Sequence, residues 1–134
     1  MNINLRGAHL CVREAVKTMK EQRYGKIINI SSLAARIGGI ASSVSYAASK
    51  GGLLAATKSY AKLLGTYGIN VNAVCPGVVH TAMTAQTAYT ADQIPLGRLG
   101  GTSDIAGVVA FLASDDAAYI TGAGLDVNGG QFML

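Results

Sequence analysis

The chain has 134 residues, half of them apolar and 13% charged, with a formal net charge of +4. That length holds one domain, taken as residues 1–134, and that composition excludes a disordered or collagen-like chain. Seventeen glycines against two prolines favour close backbone approaches over rigid turns. The two cysteines, Cys11 and Cys75, stand in separate apolar segments with no metal-type spacing. They read as small core residues of a protein in a reducing compartment, with no disulfide and no metal site expected.

The first sixteen residues, MNINLRGAHLCVREAV, lack the apolar run of a signal peptide, and no window reaches membrane-spanning length. No membrane association is expected, and a cytoplasmic location is. Residues 5–22 carry an amphipathic helical pattern. Leu5, Val12, Ala15, Val16 and Met19 fall on one side, and Arg6, Arg13, Lys17 and Lys20 on a neighbouring one. A basic flank invites a nucleic-acid reading, but no interleaved aromatics or nucleic-acid motif accompany it, so none is expected.

Tyr24-Gly25 ends that helix, and KIINIS (26–31) reads as a short buried strand. SLAARIGGIASS (32–43) has no clear periodicity and reads as a loop. Residues 44–67 form a long helix closed by Gly68. INVNAVC (69–75) is a second buried strand, stopped by Pro76-Gly77, and a loop with one helical turn runs to about residue 100. Thr102 or Ser103 is positioned to cap a third helix through Ala113, with Asp104 in its first turn. GLDV (124–127) is a third strand. Short unbroken apolar strands alternating with helices predict an α/β fold with a parallel sheet covered on both faces, and right-handed crossovers would set consecutive strands side by side. Three strands make a thin sheet with an apolar edge, a feature that proteins normally pair or cover. The chain alone is therefore expected to be only marginally stable.

Within the long helix, Tyr46 and Lys50 are four residues apart and share a face. A phenol with a pKa of about 10 is a poor acid or base at neutral pH. An ammonium beside it favours the phenolate and makes proton exchange with an alcohol or carbonyl practicable. The pair also arises readily by chance, and from the spacing alone a packed tyrosine with a snorkelling lysine is the favoured reading. Its surroundings are unusually small: Ala47, Ala48, Gly51, Gly52, Ala55 and Ala56. Each mid-helix glycine costs about 1 kcal/mol relative to alanine, which asks for a close helix contact or room for a flat ligand. The strand before it delivers Ser31 and Ser32 to its carboxyl end, where ligands of parallel α/β sheets gather.

Taken together, INL (3–5), INISS (28–32), YAASK (46–50), INVNAVCPGVVHT (69–81), IPLGRLG (94–100) and ITGAGLDVNGG (120–130) resemble, in that order, the short-chain dehydrogenase/reductase family. The likeness is greatest to the carboxyl-terminal half of bacterial members of the 3-oxoacyl-carrier-protein reductase type. It implies a Rossmann-like, doubly wound parallel sheet that is incomplete, its first nucleotide-binding βαβ units missing. It implies an NAD(P)-dependent oxidoreductase interconverting a ketone and a secondary alcohol, with a homodimer or homotetramer as the assembly. The family's tetrad falls on Asn4, Ser32, Tyr46 and Lys50. Tyr46 would exchange the proton, Lys50 would lower its pKa and hold the nicotinamide ribose, and Ser32 would orient the substrate oxygen. Asn4 would support a water that relays protons to Lys50. Pro76 and Gly77 would line the nicotinamide pocket, and the Val79 backbone with the Thr81 hydroxyl would bind the carboxamide.

Two departures from the family pattern stand out. The TGxxxGxG turn that grips the cofactor's pyrophosphate does not occur, and neither does GxGxxG or a P-loop. The choice between NAD and NADP is set in that half. The segment AMTAQTAYTADQ (82–93) is short for a substrate lid. A remnant without catalysis, serving as an assembly or interaction subunit, is the alternative reading. Arg23 and the basic flank suit an acidic carrier protein, whereas Tyr67 stands where carrier-protein reductases tend to place a base. His9 and His80 carry no partner pattern and read as incidental.

Overall fold

A computed structural model of the chain describes residues 1–39, 42–82, 84–85 and 89–134. A π-helical turn, Asn2–Gly7, opens the chain and runs into α1, Ala8–Gln22. Then follow β1 (Gly25–Ile30), α2 (Ala34–Ile37), α3 (Val44–Leu64), β2 (Ile69–Pro76), α4 (Thr102–Ala113) and β3 (Gly124–Val127). The three strands are parallel and lie in sequence order, β1-β2-β3. Gly25 to Ile30 pair with Ile69 to Val74, and Ala73 to Pro76 with Gly124 to Val127.

The apolar runs read as strands are covered on both faces, as a parallel sheet requires. Alternate residues of β2 serve opposite layers. Val71 packs with Ala61 and Leu64 of α3 and, through them, with Val16 and Met19 of α1. Ala73 and Cys75 pack under Leu54 and Ala35 on that same side. Val74 faces the other way, against Leu112 of α4 and Ala117. The result is a helix–sheet–helix sandwich whose centre is β2, with Val71, Ala73, Val74 and Cys75 fully buried.

Four details differ from the sequence expectations. The first helix begins with a π-helical turn, so α1 proper starts only at Ala8. The long helix stops at Leu64, where Gly65–Tyr67 tighten into a 3-10 turn before Gly68. The segment read wholly as loop contains α2, a single turn held by buried Leu33 and by Ala35 rather than by periodicity. Gly101, and not Thr102 or Ser103, caps α4: the Asp104 carboxylate accepts the Gly101 N–H at 2.7 Å.

Cys75 is a core residue as expected, but Cys11 is exposed. It neighbours Val12, the buried residue of α1, and a one-residue step turns it about 100° away from the sheet. His9 is not incidental: its Nδ1 hydrogen-bonds the Tyr60 hydroxyl and its ring stacks on that tyrosine. Gly52 of α3 faces the leucine of the opening turn. A Cβ there would sit 3.0 Å from Leu5 Cδ2, so helix contact is one reason for the small residues.

Candidate active site

The carboxyl ends of β1 and β2 face α4 and the start of α3 across an open cleft of about 500 Å³. Ser32, Tyr46, Lys50, Pro76, Gly77, Val79 and Thr81 all line it. Each arrives by a local device. Ser43 caps α3, its hydroxyl accepting the Tyr46 N–H at 3.2 Å, so the cap fixes the turn that carries the tyrosine. Lys50, one turn on, donates from Nζ to the Ile30 carbonyl at 2.6 Å, and Nζ lies 5.8 Å from the Tyr46 ring centroid. Partial burial lowers the lysine's pKa. A cation so held has further N–H donors with which to meet a sugar hydroxyl.

Ser31 and Ser32 leave β1 together but differ in role. The Ser31 hydroxyl turns inward and donates to the Lys50 carbonyl at 2.9 Å. Ser32 Oγ accepts the Ala34 N–H at 3.1 Å and borders the cleft. Beneath them, Asn29 Nδ2 donates to Thr57 Oγ1 at 2.9 Å, and both residues are buried. That bond locks α3 to β1 and so locks Tyr46 and Lys50 to the serines.

After β2 the chain turns sharply. The Gly77 N–H donates to the Val127 carbonyl at 3.0 Å, and a Cβ at 77 would lie 2.8 Å from Asn128 Cβ. No other residue fits between these two segments without displacing one. Val79 pairs with Gly100 as an isolated bridge, reinforced by the His80 N–H to Gly100 O at 2.8 Å and the Gly100 N–H to Val78 O at 3.0 Å. Thr84 completes the knot, accepting the Thr81 N–H at 2.8 Å and donating to the Val79 carbonyl at 2.6 Å.

Asn4 is the one predicted site residue that stands apart from the cleft's lining. Its Nδ2 donates to Ser49 Oγ at 3.2 Å, and that hydroxyl donates to the Tyr46 carbonyl at 2.7 Å. Asn4 therefore touches the backbone of the tyrosine's turn through Ser49. Residues that motif reading missed also line the cleft: Thr84, and Thr102, Ile105, Ala106 and Val109 of α4. Thr84 follows Thr81 by one turn's spacing, the one signal of these present in the sequence. Of the short lid segment, residues 83 and 86–88 lie outside the described residues, as do Ile40 and Ala41 upstream.

The cleft thus offers a cation, several hydroxyls and a glycine turn with no side chain in the way. That donor set suits the polar ring and sugar hydroxyls of a nicotinamide riboside. Among the described residues no three His, Cys, Asp or Glu side chains gather to hold a metal, and no helix is long and apolar enough to cross a membrane.

Architecture and cleft together define a Rossmann-like α/β protein with a tyrosine–lysine pair at the carboxyl edge of its sheet. A family profile described as enoyl-(acyl carrier protein) reductase matches residues 1–131. The chain is 46% identical to a 3-oxoacyl-[acyl-carrier-protein] reductase of Rickettsia felis, across 100% of its own length and 57% of that protein. To the corresponding protein of Escherichia coli K12 it is 43% identical, over 98% of this chain and 55% of that one. A crystal structure of 3-oxoacyl-[acyl-carrier protein] reductase from Brucella melitensis superposes with a TM-score of 0.94 at 35% identity, covering 98% of this chain and 51% of that chain. The chain belongs to the short-chain dehydrogenase/reductase family. It spans little more than half the length of the relatives it matches.

Proposed function

We propose that this chain carries the reacting end of an NAD(P)-dependent oxidoreductase that interconverts a ketone and a secondary alcohol in the cytoplasm. The observation that carries this reading is the convergence of Ser32, Tyr46, Lys50 and the 76–81 turn on one cleft. A bound dihydronicotinamide supplies the hydride to the carbonyl carbon, and its oxidised form takes one up in the reverse direction. The chain's own residues manage the proton. The Ser32 hydroxyl holds the substrate oxygen, and Tyr46 gives that oxygen its phenolic proton as the carbonyl becomes an alcohol. The Lys50 ammonium stabilises the phenolate left behind, which then takes a proton from solvent. Pro76, Gly77, Val79 and Thr81 orient the nicotinamide ring, and Asn4 supports the tyrosine's turn. No residues here match the glycine-rich turn that grips a pyrophosphate, so the fit extends to the nicotinamide end alone.

The substrate class is a 3-oxoacyl thioester on an acidic carrier, the class named for the relatives. A cationic patch supports it: Lys20 Nζ lies 4.5 Å and Arg23 Cζ 5.8 Å from the centroid of the Tyr67 ring. Tyr67 thus serves as a platform for two cations where carrier-protein reductases tend to place a basic residue. A homodimer or homotetramer is the assembly this reading expects.

The test is a fluorescence titration of NADH and NADPH into the folded chain, with Lys50→Ala alongside. Saturable binding, weakened at least about tenfold in the variant by loss of a charged hydrogen bond, is the expected result. Absence of binding by a folded sample would favour the assembly-subunit alternative and overturn the catalytic reading for these 134 residues.

A further inference from the structure

Arg36 belongs to none of the six motif blocks and does not line the cleft. It sits in α2, a helix of four residues and too short to persist by itself. Its Nε donates to Asp126 Oδ1 at 3.0 Å and its Nη2 to the Gly124 carbonyl at 2.7 Å, both on β3. The paired side chains are only 15% and 17% exposed. A Cβ at residue 124 would lie 3.0 Å from Nη2, so the glycine leaves the guanidinium its seat.

Burying two charges to this depth carries a desolvation cost that mutual attraction often fails to offset. Stability alone is therefore a weak reason for the pair. What it does is tie α2 to the far strand of the sheet. The first residue of α2, Ala34, donates its N–H to Ser32 Oγ at 3.1 Å. The backbone on either side is fixed independently: the Ser31 N–H reaches the Val74 carbonyl at 2.7 Å, and the Leu33 N–H reaches the Pro76 carbonyl at 2.8 Å. Only the Ser32 side-chain torsion is left to be set, and the Ala34 amide sets it. With one lone pair engaged by that amide, the hydroxyl proton is left to donate outward.

We propose that Arg36 and Asp126 are positioning residues for Ser32, acting through α2 and the Ala34 amide to aim the serine hydroxyl into the cleft. The catalytic consequence rests on the oxidoreductase reading above; the structural link from Arg36 to Ser32 does not.

The experiment uses the full chain and three variants: Arg36→Met, Arg36→Lys and the double Arg36→Met/Asp126→Leu. Amide exchange at Ala34, urea denaturation, cofactor affinity and steady-state kinetics are measured on each. Arg36→Met should speed Ala34 exchange while the Val71 and Ala73 amides stay protected. It should lower kcat about tenfold, as expected when a reacting group is displaced, and leave cofactor Kd within about twofold. Arg36→Lys keeps the charge but loses the forked contact, so it should rescue partly; it also serves if Arg36→Met does not fold. The double variant removes both charges and should regain the urea midpoint while Ala34 exchange stays fast and kcat stays low. Ala34 exchange unchanged in the single variants, or restored with stability in the double, would overturn the proposal. If the unmodified chain neither binds cofactor nor turns over, the oxidoreductase reading fails by itself, and Ala34 exchange alone decides the link.

Discussion

The two sides of the sheet are built differently. On the β2–β3 side, side chains and backbone interlock. Asn72 reaches the Ile120 carbonyl at 2.8 Å and accepts the Ala123 N–H at 3.0 Å. Asn70 donates to the carbonyls of Ala118 and Ile120, and Gly77 closes on Asn128. On the β1 side the outer edge has no strand among the described residues, and Ile30, last in its strand, is 43% exposed against 0% for its register partner Val74. Yet Ser32, Tyr46 and Lys50 lie on that open side. The groups proposed to do chemistry stand where a ligand can enter, and the closed side holds them in place. Arg36, crossing from α2 to β3, is one thread between the two.

The largest expected effect tests the closed side. Asn72→Ala would strip the Ala123 N–H of its acceptor and leave the Ile120 carbonyl with Asn70 as its side-chain donor. A buried group left unsatisfied costs about 1–3 kcal/mol, and the loss should fall in that range. A urea titration reads it as a lower midpoint at an unchanged slope. A loss below about 1 kcal/mol would mean water or rearrangement satisfies that group, and the contrast between the sides would weaken.

That asparagine also shows where sequence reading stops. INVNAVC announces a buried strand because its apolar residues are β-branched and unbroken, and the strand ends fall within a residue of those expected. Nothing in the string says that Asn72 clamps a loop whose Ile120 lies 48 residues further along. Arg36 is hidden for the same reason, its partner lying 90 residues on. Motif order picks out Ser32, Tyr46, Lys50 and the 76–81 turn, and the fold brings these to one cleft. The cap of α4 is not legible because Thr102 and Ser103 are good capping types, while the backbone of Gly101 and the carboxylate of Asp104 do the work together. The exposure of Cys11 is not legible either, because apolar character does not say which side of a helix meets the sheet.

A smaller effect probes the open side. Ser43→Ala removes the cap whose hydroxyl accepts the Tyr46 N–H, at a cost of about 1 kcal/mol. The distinctive signature is local: amide exchange should accelerate at Tyr46 more than at Leu64, the far end of the same helix. Uniform acceleration along α3 would show that the first turn has no separate stability.

Smaller again is a contribution confined to acid. The Arg98 guanidinium, and next the Gly101 N–H, hold the Asp104 carboxyl down at about 2, from an ordinary 3.8. A carboxyl depressed on folding contributes stability that is fully present above its unfolded value and is lost as pH falls through the folded one. The urea midpoint should therefore drop between about pH 4 and pH 2, and Arg98→Leu should flatten that drop. Both side chains are substantially exposed, 57% and 34%, so added salt should shrink the difference. A drop that Arg98→Leu leaves untouched would assign the acid sensitivity to a group other than Asp104.

The smallest effect is the sharpest test of the contrast. Ile30 ends an edge strand with nearly half its surface in contact with solvent, and Ile30→Thr keeps the β-branched shape that a strand prefers. The substitution should change stability by no more than about 0.5 kcal/mol, as at other surface positions. At a position as enclosed as Val74, the same kind of change would leave a hydroxyl unsatisfied and cost several times more. A loss of about 2 kcal/mol at Ile30 would mean that the edge is covered in solution, by a second copy or by chain beyond these residues. The cleft would then have a wall that its lining residues alone do not supply, and a dependence of that loss on protein concentration would identify the second copy as the wall.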